Sequence, residues 1–214
     1  QPRTHCSNID WLAERYPSAH VVGAPIAGFE SFAWPYSGPG HRTGPTLANT
    51  TAAAMASGAY NALWQSMVPT RCLDAHKTDP GACLLPQLSY SYVASPLFII
   101  VAQSDRVVLE YHNNVPLLTK ASLPLAPSLS TYMTAYASNQ THDLQLAMKT
   151  SSPNGVFNPA CFVHTEFQKH IKINGENYLT AFLKWFQGAD VKLVDVCDGT
   201  KPVLCNPTCV LKST

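Results

Sequence analysis

Charged side chains are scarce in this sequence of 214 residues: they make up 13% of it, against the ~25% that is usual in globular domains. The net charge is only +1, which argues against a nucleic-acid-binding protein, because such proteins normally carry a basic stripe. The sequence also lacks an apolar run of about 18 residues, so we expect no membrane-spanning segment. Because 46% of the residues are apolar, the chain can collapse around a core, which argues against disorder.

A starting methionine and a charged-then-apolar leader are also absent. We therefore expect that the sequence begins inside a longer protein or after processing. Its length fits a single domain with a sizeable core.

Seven cysteines are present, and three of them, Cys197, Cys205 and Cys209, crowd the C-terminus. A zinc site at Cys205 and Cys209 would need two more ligands at close spacing, and the sequence has no second pair. We therefore predict disulfide bonds and no metal. The odd count leaves one sulfur without a partner in this chain, and Cys6, which is far from the others, is the candidate.

Two glycosylation sequons accompany the cysteines, at Asn49 and Asn139. Together with the predicted disulfides, they favour a secreted or extracellular glycoprotein, or one that resides in the lumen of the secretory pathway.

Helical and strand patterns alternate along the chain. We predict helices over 8–16, 47–67 (one helix, or two broken near Gly58) and 128–149, and strands over 20–24, 95–103, 155–163 and 192–196. A last helix is predicted after a cap at Asn174, with Leu179, Phe182, Leu183 and Phe186 on one face. The alternation is typical of a parallel α/β sheet flanked by helices.

An acid and a histidine follow two of these predicted strands, at Asp105 and His164. Chemistry in parallel α/β sheets lies beyond the carboxyl ends of the strands, and this order is the second half of the Ser-Asp-His order of α/β-hydrolases. In such a triad the imidazole activates the serine, while the carboxylate fixes the tautomer of the imidazole. Two alternatives stay open: Asp105 could cap a helix, and His164 could be a structural residue.

The nucleophile that such a triad requires is missing from the sequence, which contains no Gly-x-Ser-x-Gly elbow. Ser37 follows an aromatic loop, and Ser57 lies inside a helical stretch. Neither has the strand–turn–helix context that exposes a reactive hydroxyl.

Several segments match one known family of carboxylesterases, in chain order and over nearly the whole chain. They are residues 8–10, 68–83, 96–105, 158–164 and 193–209. The fourth segment ends in Cys161-Phe162-Val163-His164, and the fifth ends in a Cys-Asn-Pro-Thr-Cys motif. They resemble the corresponding segments of the pectin acetylesterase/Notum family. The histidine segment and the C-terminal cysteine motif are fairly specific together.

This resemblance implies an α/β fold with part of an α/β-hydrolase-like sheet, in which residues 1–214 are the C-terminal part of one domain. It implies that Asp105 and His164 are catalytic, and that the disulfides join Cys72 to Cys83, Cys161 to Cys209 and Cys197 to Cys205. The family's Gly-x-Ser-Ala-Gly-Gly elbow would precede Gln1. A companion N-terminal segment or separate chain would then carry the nucleophile, and Cys6 would pair upstream or stay free.

The implied function is hydrolysis of a carboxylic ester, on an acetylated polysaccharide or an acylated protein, without a metal or organic cofactor. An alternative is an inactive relative that acts as an extracellular structural or binding component. A carbohydrate-binding surface is a third hypothesis. Trp34 and Tyr36 follow the first predicted strand, where they either form a substrate-pocket wall or only fill the core.

Overall fold

The computed structural model describes residues 8–31, 33–43, 68–149, 153–167 and 170–211. Cys6, Asn49 and the helix predicted over 47–67 lie outside the described residues.

The described residues form three short helices followed by three strands, with one helix between each strand and the next. The helices are α1 (Ile9–Arg15), α2 (Thr70–Ala75), α3 (Pro86–Ser89), α4 (Pro127–Ala147) and α5 (Tyr178–Phe186). The strands are β1 (Phe98–Ile100), β2 (Gly155–Asn158) and β3 (Lys192–Val194). Single turns of 3-10 helix span Pro80–Leu84, Tyr90–Tyr92 and Lys120–Ser122, and a π-helical turn spans Val108–His112. None of the helices in this part of the chain is long and apolar enough to cross a membrane.

The three strands form a parallel sheet in the order β1-β2-β3. The strand predicted over 20–24 is not a regular one, but its chain runs parallel beside β1 and forms single bridges from Gly23 to Leu97 and from Ile26 to Ile100. Pro25 lies between these bridges and has no N–H to donate, which limits the ladder. The sheet, its flanking helices and its disulfides confirm the predicted fold class.

Every residue of β1 and β2 is buried, because apolar groups cover both faces of the sheet. On one face, Ile99 and Val156 pack against Leu144 of α4. On the other, Phe98 packs against Trp185 of α5. Burying a side chain of this size contributes about 1.5–3 kcal/mol.

The predicted capping residue of α5 is wrong. Asn177 is the cap, since its Oδ1 accepts hydrogen bonds from the N–H groups of Leu179 and Thr180, both at 3.0 Å. Asn174 instead lies in the left-handed region, with φ of +52°, in the turn that precedes the helix. Asparagine suits both a cap and a left-handed turn, so the residue type did not distinguish them.

The buried side of α5 also differs from the predicted stripe. Ala181 and Trp185 are its buried residues, whereas Leu179, Leu183 and Phe186 are exposed. The helix turns its indole toward the sheet, and the Nε1–H of Trp185 donates to the carbonyl of Pro153 at 2.6 Å. Trp185 and the partly buried Phe182 both pack against the ring of Phe98 in β1.

Among the described residues, three disulfide bonds join Cys72 to Cys83, Cys161 to Cys209 and Cys197 to Cys205. These are the pairings that the resemblance implies. The bridge from Cys161 ties the segment after β2 to the C-terminal segment.

Candidate active site

The ends of β1 and β2 place Asp105 and His164 at one edge of the sheet. Pairing between the two chain segments continues beyond the strands, because the N–H of Gln103 donates to the carbonyl of Pro159 at 2.9 Å. Further on, the N–H of Arg106 donates to the carbonyl of Val163 at 3.2 Å. The two loops therefore leave the sheet side by side, and the residues beside these contacts meet.

The side chains of Asp105 and His164 are hydrogen-bonded. His164 Nδ1 lies 2.8 Å from Oδ2 and 3.0 Å from Oδ1 of Asp105. The carboxylate is fully buried, whereas 28% of the histidine side chain is exposed. A carboxylate accepts hydrogen bonds, so Nδ1 carries the proton and the ring would exchange protons with another group through Nε2.

Each partner shifts the pKa of the other. Burial raises the pKa of Asp105, and the hydrogen bond from His164 opposes that rise. The hydrogen bond to Asp105 raises the pKa of His164, and burial of the ring partly opposes it. The histidine is therefore a stronger base than a free imidazole.

Asp105 also caps a helical turn, because its Oδ1 accepts the N–H of Val108 at 3.1 Å. The cap and the pairing with histidine, which the sequence left as alternatives, therefore occur together. A carboxylate has lone pairs for both, and the cap fixes its orientation toward His164.

The loop that leads to His164 is held by groups that the sequence analysis did not single out. Asp195 Oδ2, just after β3, accepts the N–H of Ala160 at 2.8 Å and the side-chain amide of Asn206 at 2.6 Å. Gln103 Nε2 donates to the carbonyl of Asp195 at 2.7 Å. Asp195 lies inside the strand predicted over 192–196, whereas β3 ends at Val194. The overlong prediction hid the fact that Asp195 follows a strand, as Asp105 does.

Two further carboxylates lie near the pair. Glu166 and Glu30 both raise the pKa of His164 by their charge, to a smaller extent than Asp105 does. Glu30 lies 3.6 Å from Nδ1 of His112, and the backbone on either side of Glu30 is held by the buried side chain of Gln140.

The two aromatic residues proposed for substrate binding lie in different environments. Trp34 is 72% exposed, and its carbonyl accepts the hydroxyl of Tyr132 at 2.7 Å. Tyr36 is 4% exposed and belongs to a core cluster, with its hydroxyl 3.1 Å from that of Ser128. The position of Tyr36 corresponds to the core-filling alternative, and Trp34 remains at the surface.

Asn139 of the second sequon lies exposed in α4. No group of three or more His, Cys, Asp or Glu side chains in the described part of the chain is arranged to hold a metal ion.

Comparisons with known proteins give one family and one fold. A sequence model of the family described as pectinacetylesterase matches residues 4–210, whereas no curated protein matches the chain. The solved structure of the Wnt deacylase Notum from Drosophila is similar, with a TM-score of 0.68 and 21% identity. The similarity covers 94% of this chain and 52% of that one, so this chain spans about half of its length. At that identity the likeness shows a shared fold.

Proposed function

The chain belongs to the pectinacetylesterase family, and on that premise we propose that Asp105 and His164 are the acid and the base of a serine carboxylesterase. The observation that carries the proposal is the hydrogen bond of 2.8 Å between the buried carboxylate and the partly exposed imidazole. A pair of this kind is what a serine hydroxyl needs in order to react.

In the proposed reaction His164 Nε2 takes the proton of the serine hydroxyl as its oxygen attacks the ester carbonyl. Asp105 holds the ring and stabilises the imidazolium that forms. The imidazolium then returns the proton to the leaving alcohol, and an acyl-enzyme remains. A water molecule, deprotonated by the same histidine, releases the carboxylic acid and restores the serine.

The serine of this reaction comes from a companion N-terminal segment or a separate chain. Two observations support this part of the proposal: the sequence contains no Gly-x-Ser-x-Gly elbow, and the chain spans 52% of the Notum structure. Residues 1–214 are then the C-terminal part of one α/β-hydrolase-like domain, which the companion completes.

The substrate is an ester of an acetylated polysaccharide or an acylated protein, in keeping with the family and with the description of Notum as a Wnt deacylase. Trp34 is proposed to contact the substrate, because an exposed indole provides a flat apolar surface. The protein is secreted, which three disulfides support, and glycans are carried on Asn49 and Asn139.

The test is ester hydrolysis by the native protein with any companion that copurifies, measured with p-nitrophenyl acetate. We expect His164→Ala to remove turnover by a factor on the order of 10³ or more, while circular dichroism and the denaturation midpoint change little. His142→Ala, at an exposed position on α4, is the matched control and leaves turnover unchanged. If His164→Ala retains wild-type turnover, or if the native material hydrolyses no ester, the proposal of an esterase is wrong. The alternative of an inactive extracellular binding component then replaces it.

A further inference from the structure

A ring of contacts joins the loop that carries Asp105 to the loop that carries His164. Arg106, next to Asp105, donates from Nη2 to Oε1 of Glu166 at 2.7 Å. The other oxygen of Glu166, Oε2, accepts the backbone N–H of His164 at 3.1 Å. The backbone N–H of Arg106 closes the ring by donating to the carbonyl of Val163 at 3.2 Å.

We propose that Arg106 and Glu166 are positioning residues, which form a clasp that keeps the aspartate loop and the histidine loop in register. In this proposal neither residue contacts the substrate. The clasp acts through His164, and its relevance to catalysis, though not its existence, rests on the proposed function.

The connectivity of this ion pair sets it apart from an ordinary surface pair. The side chains of Arg106 and Glu166 are 25% and 44% exposed, and an isolated pair with such exposure contributes little to stability. Here, however, one carboxylate bonds both to the guanidinium beside the acid and to the backbone of the base. Loss of Glu166 therefore removes the acceptor of the His164 N–H as well as a charge contact. Loss of the Arg106 side chain leaves that acceptor without the guanidinium that holds it.

The charges that face the imidazole define what else should change. Asp105, Glu166 and Glu30 face it with carboxylates, Arg106 balances Glu166, and His112 lies beside Glu30. Glu166 raises the pKa of His164 by its charge, so its removal lowers that pKa.

Amide hydrogen exchange and imidazole titration, both followed by NMR on the native protein, test the clasp. Glu166→Ala, which removes the acceptor, and Arg106→Ala, which removes the group that holds it, should each raise the exchange rate of the His164 N–H by about three- to tenfold, the range expected for one hydrogen bond. The double variant should exceed either single variant by little, because both act on one unit. Arg106→Lys should recover part of the protection, and Glu166→Gln should lower the pKa of His164.

Glu176→Ala is the matched control, because Glu176 forms an ion pair of the same length, 2.7 Å, with Lys184 at another site. It should leave the His164 amide unchanged. The amide of Val156, bonded within the sheet, reports whether each variant is folded. The clasp is refuted if exchange at His164 stays within twofold of wild type in both single variants, or if the two effects are simply additive.

These measurements do not depend on turnover. If the variants change exchange at His164 as expected but the protein has no esterase activity, the clasp is supported and the proposed function is refuted. If the protein is an esterase but the variants leave exchange at His164 unchanged, the function is supported and the clasp is refuted.

Discussion

The bond between Cys161 and Cys209 is the disulfide whose removal should cost the most stability. It closes a loop of 48 residues, whereas the bonds Cys72–Cys83 and Cys197–Cys205 close loops of 11 and 8. On the loop-entropy relation, cutting them costs about 4, about 2.8 and about 2.5 kcal/mol respectively.

We therefore expect the Cys161→Ala/Cys209→Ala double variant to lose about 4 kcal/mol of unfolding free energy, the most of the three bridges. Cys161 is fully buried and lies three residues before His164, so the loss also frees the histidine loop. Urea unfolding gives the free energies, provided the slopes with denaturant stay similar.

The comparison with Cys197→Ala/Cys205→Ala controls for the loss of two cysteines near the C-terminus. The reasoning is refuted if the Cys161/Cys209 variant is no less stable than this control. An unchanged stability on removing the Cys161–Cys209 bridge would mean that the pairing itself is wrong.

The remaining predictions concern the site and the sheet. Asp105→Asn should lower the pKa of His164, measured by NMR titration, because it removes the carboxylate that raises it. The pKa of His164 is raised in the folded state, so the pairing of protonated His164 with Asp105 stabilises the fold. This stabilisation is complete below the ordinary pKa of 6.5 and is lost as the pH rises through the raised pKa. Above the pH at which Asp105 itself takes up a proton, the stability gap between wild type and variant should therefore narrow with rising pH, and a constant gap contradicts the pairing. Gly155→Ala should destabilise by about 1–3 kcal/mol, since its methyl would overlap the ring of Trp185, whereas Gly199→Ala, with open space around it, should be neutral in the same urea titration.

The meeting of Asp105 and His164 could be predicted from sequence because it follows from topology. When two apolar runs form neighbouring parallel strands, the residues that follow them in the chain come to the same edge of the sheet. The uniform burial of β1 and β2 follows from the same pattern.

The support of that pair could not be predicted from periodicity. The bonds of Asp195 to Ala160 and of Arg106 to Glu166 join irregular segments, whose paths depend on tertiary packing. The prediction of the α5 cap was wrong because Asn174 and Asn177 are both plausible caps from residue type alone. Only the turn before the helix, which needs a left-handed residue at 174, separates them.

In the proposed enzyme, Asp105 and His164 activate a serine that lies outside residues 1–214. The most direct measurement is labelling of the native protein with a fluorophosphonate probe, followed by mass-spectrometric mapping of the modified residue. We expect a single labelled serine in a Gly-x-Ser-Ala-Gly-Gly stretch outside residues 1–214, and we expect His164→Ala to abolish the labelling. A label on a serine within residues 1–214, or no label on any copurifying segment, would contradict it.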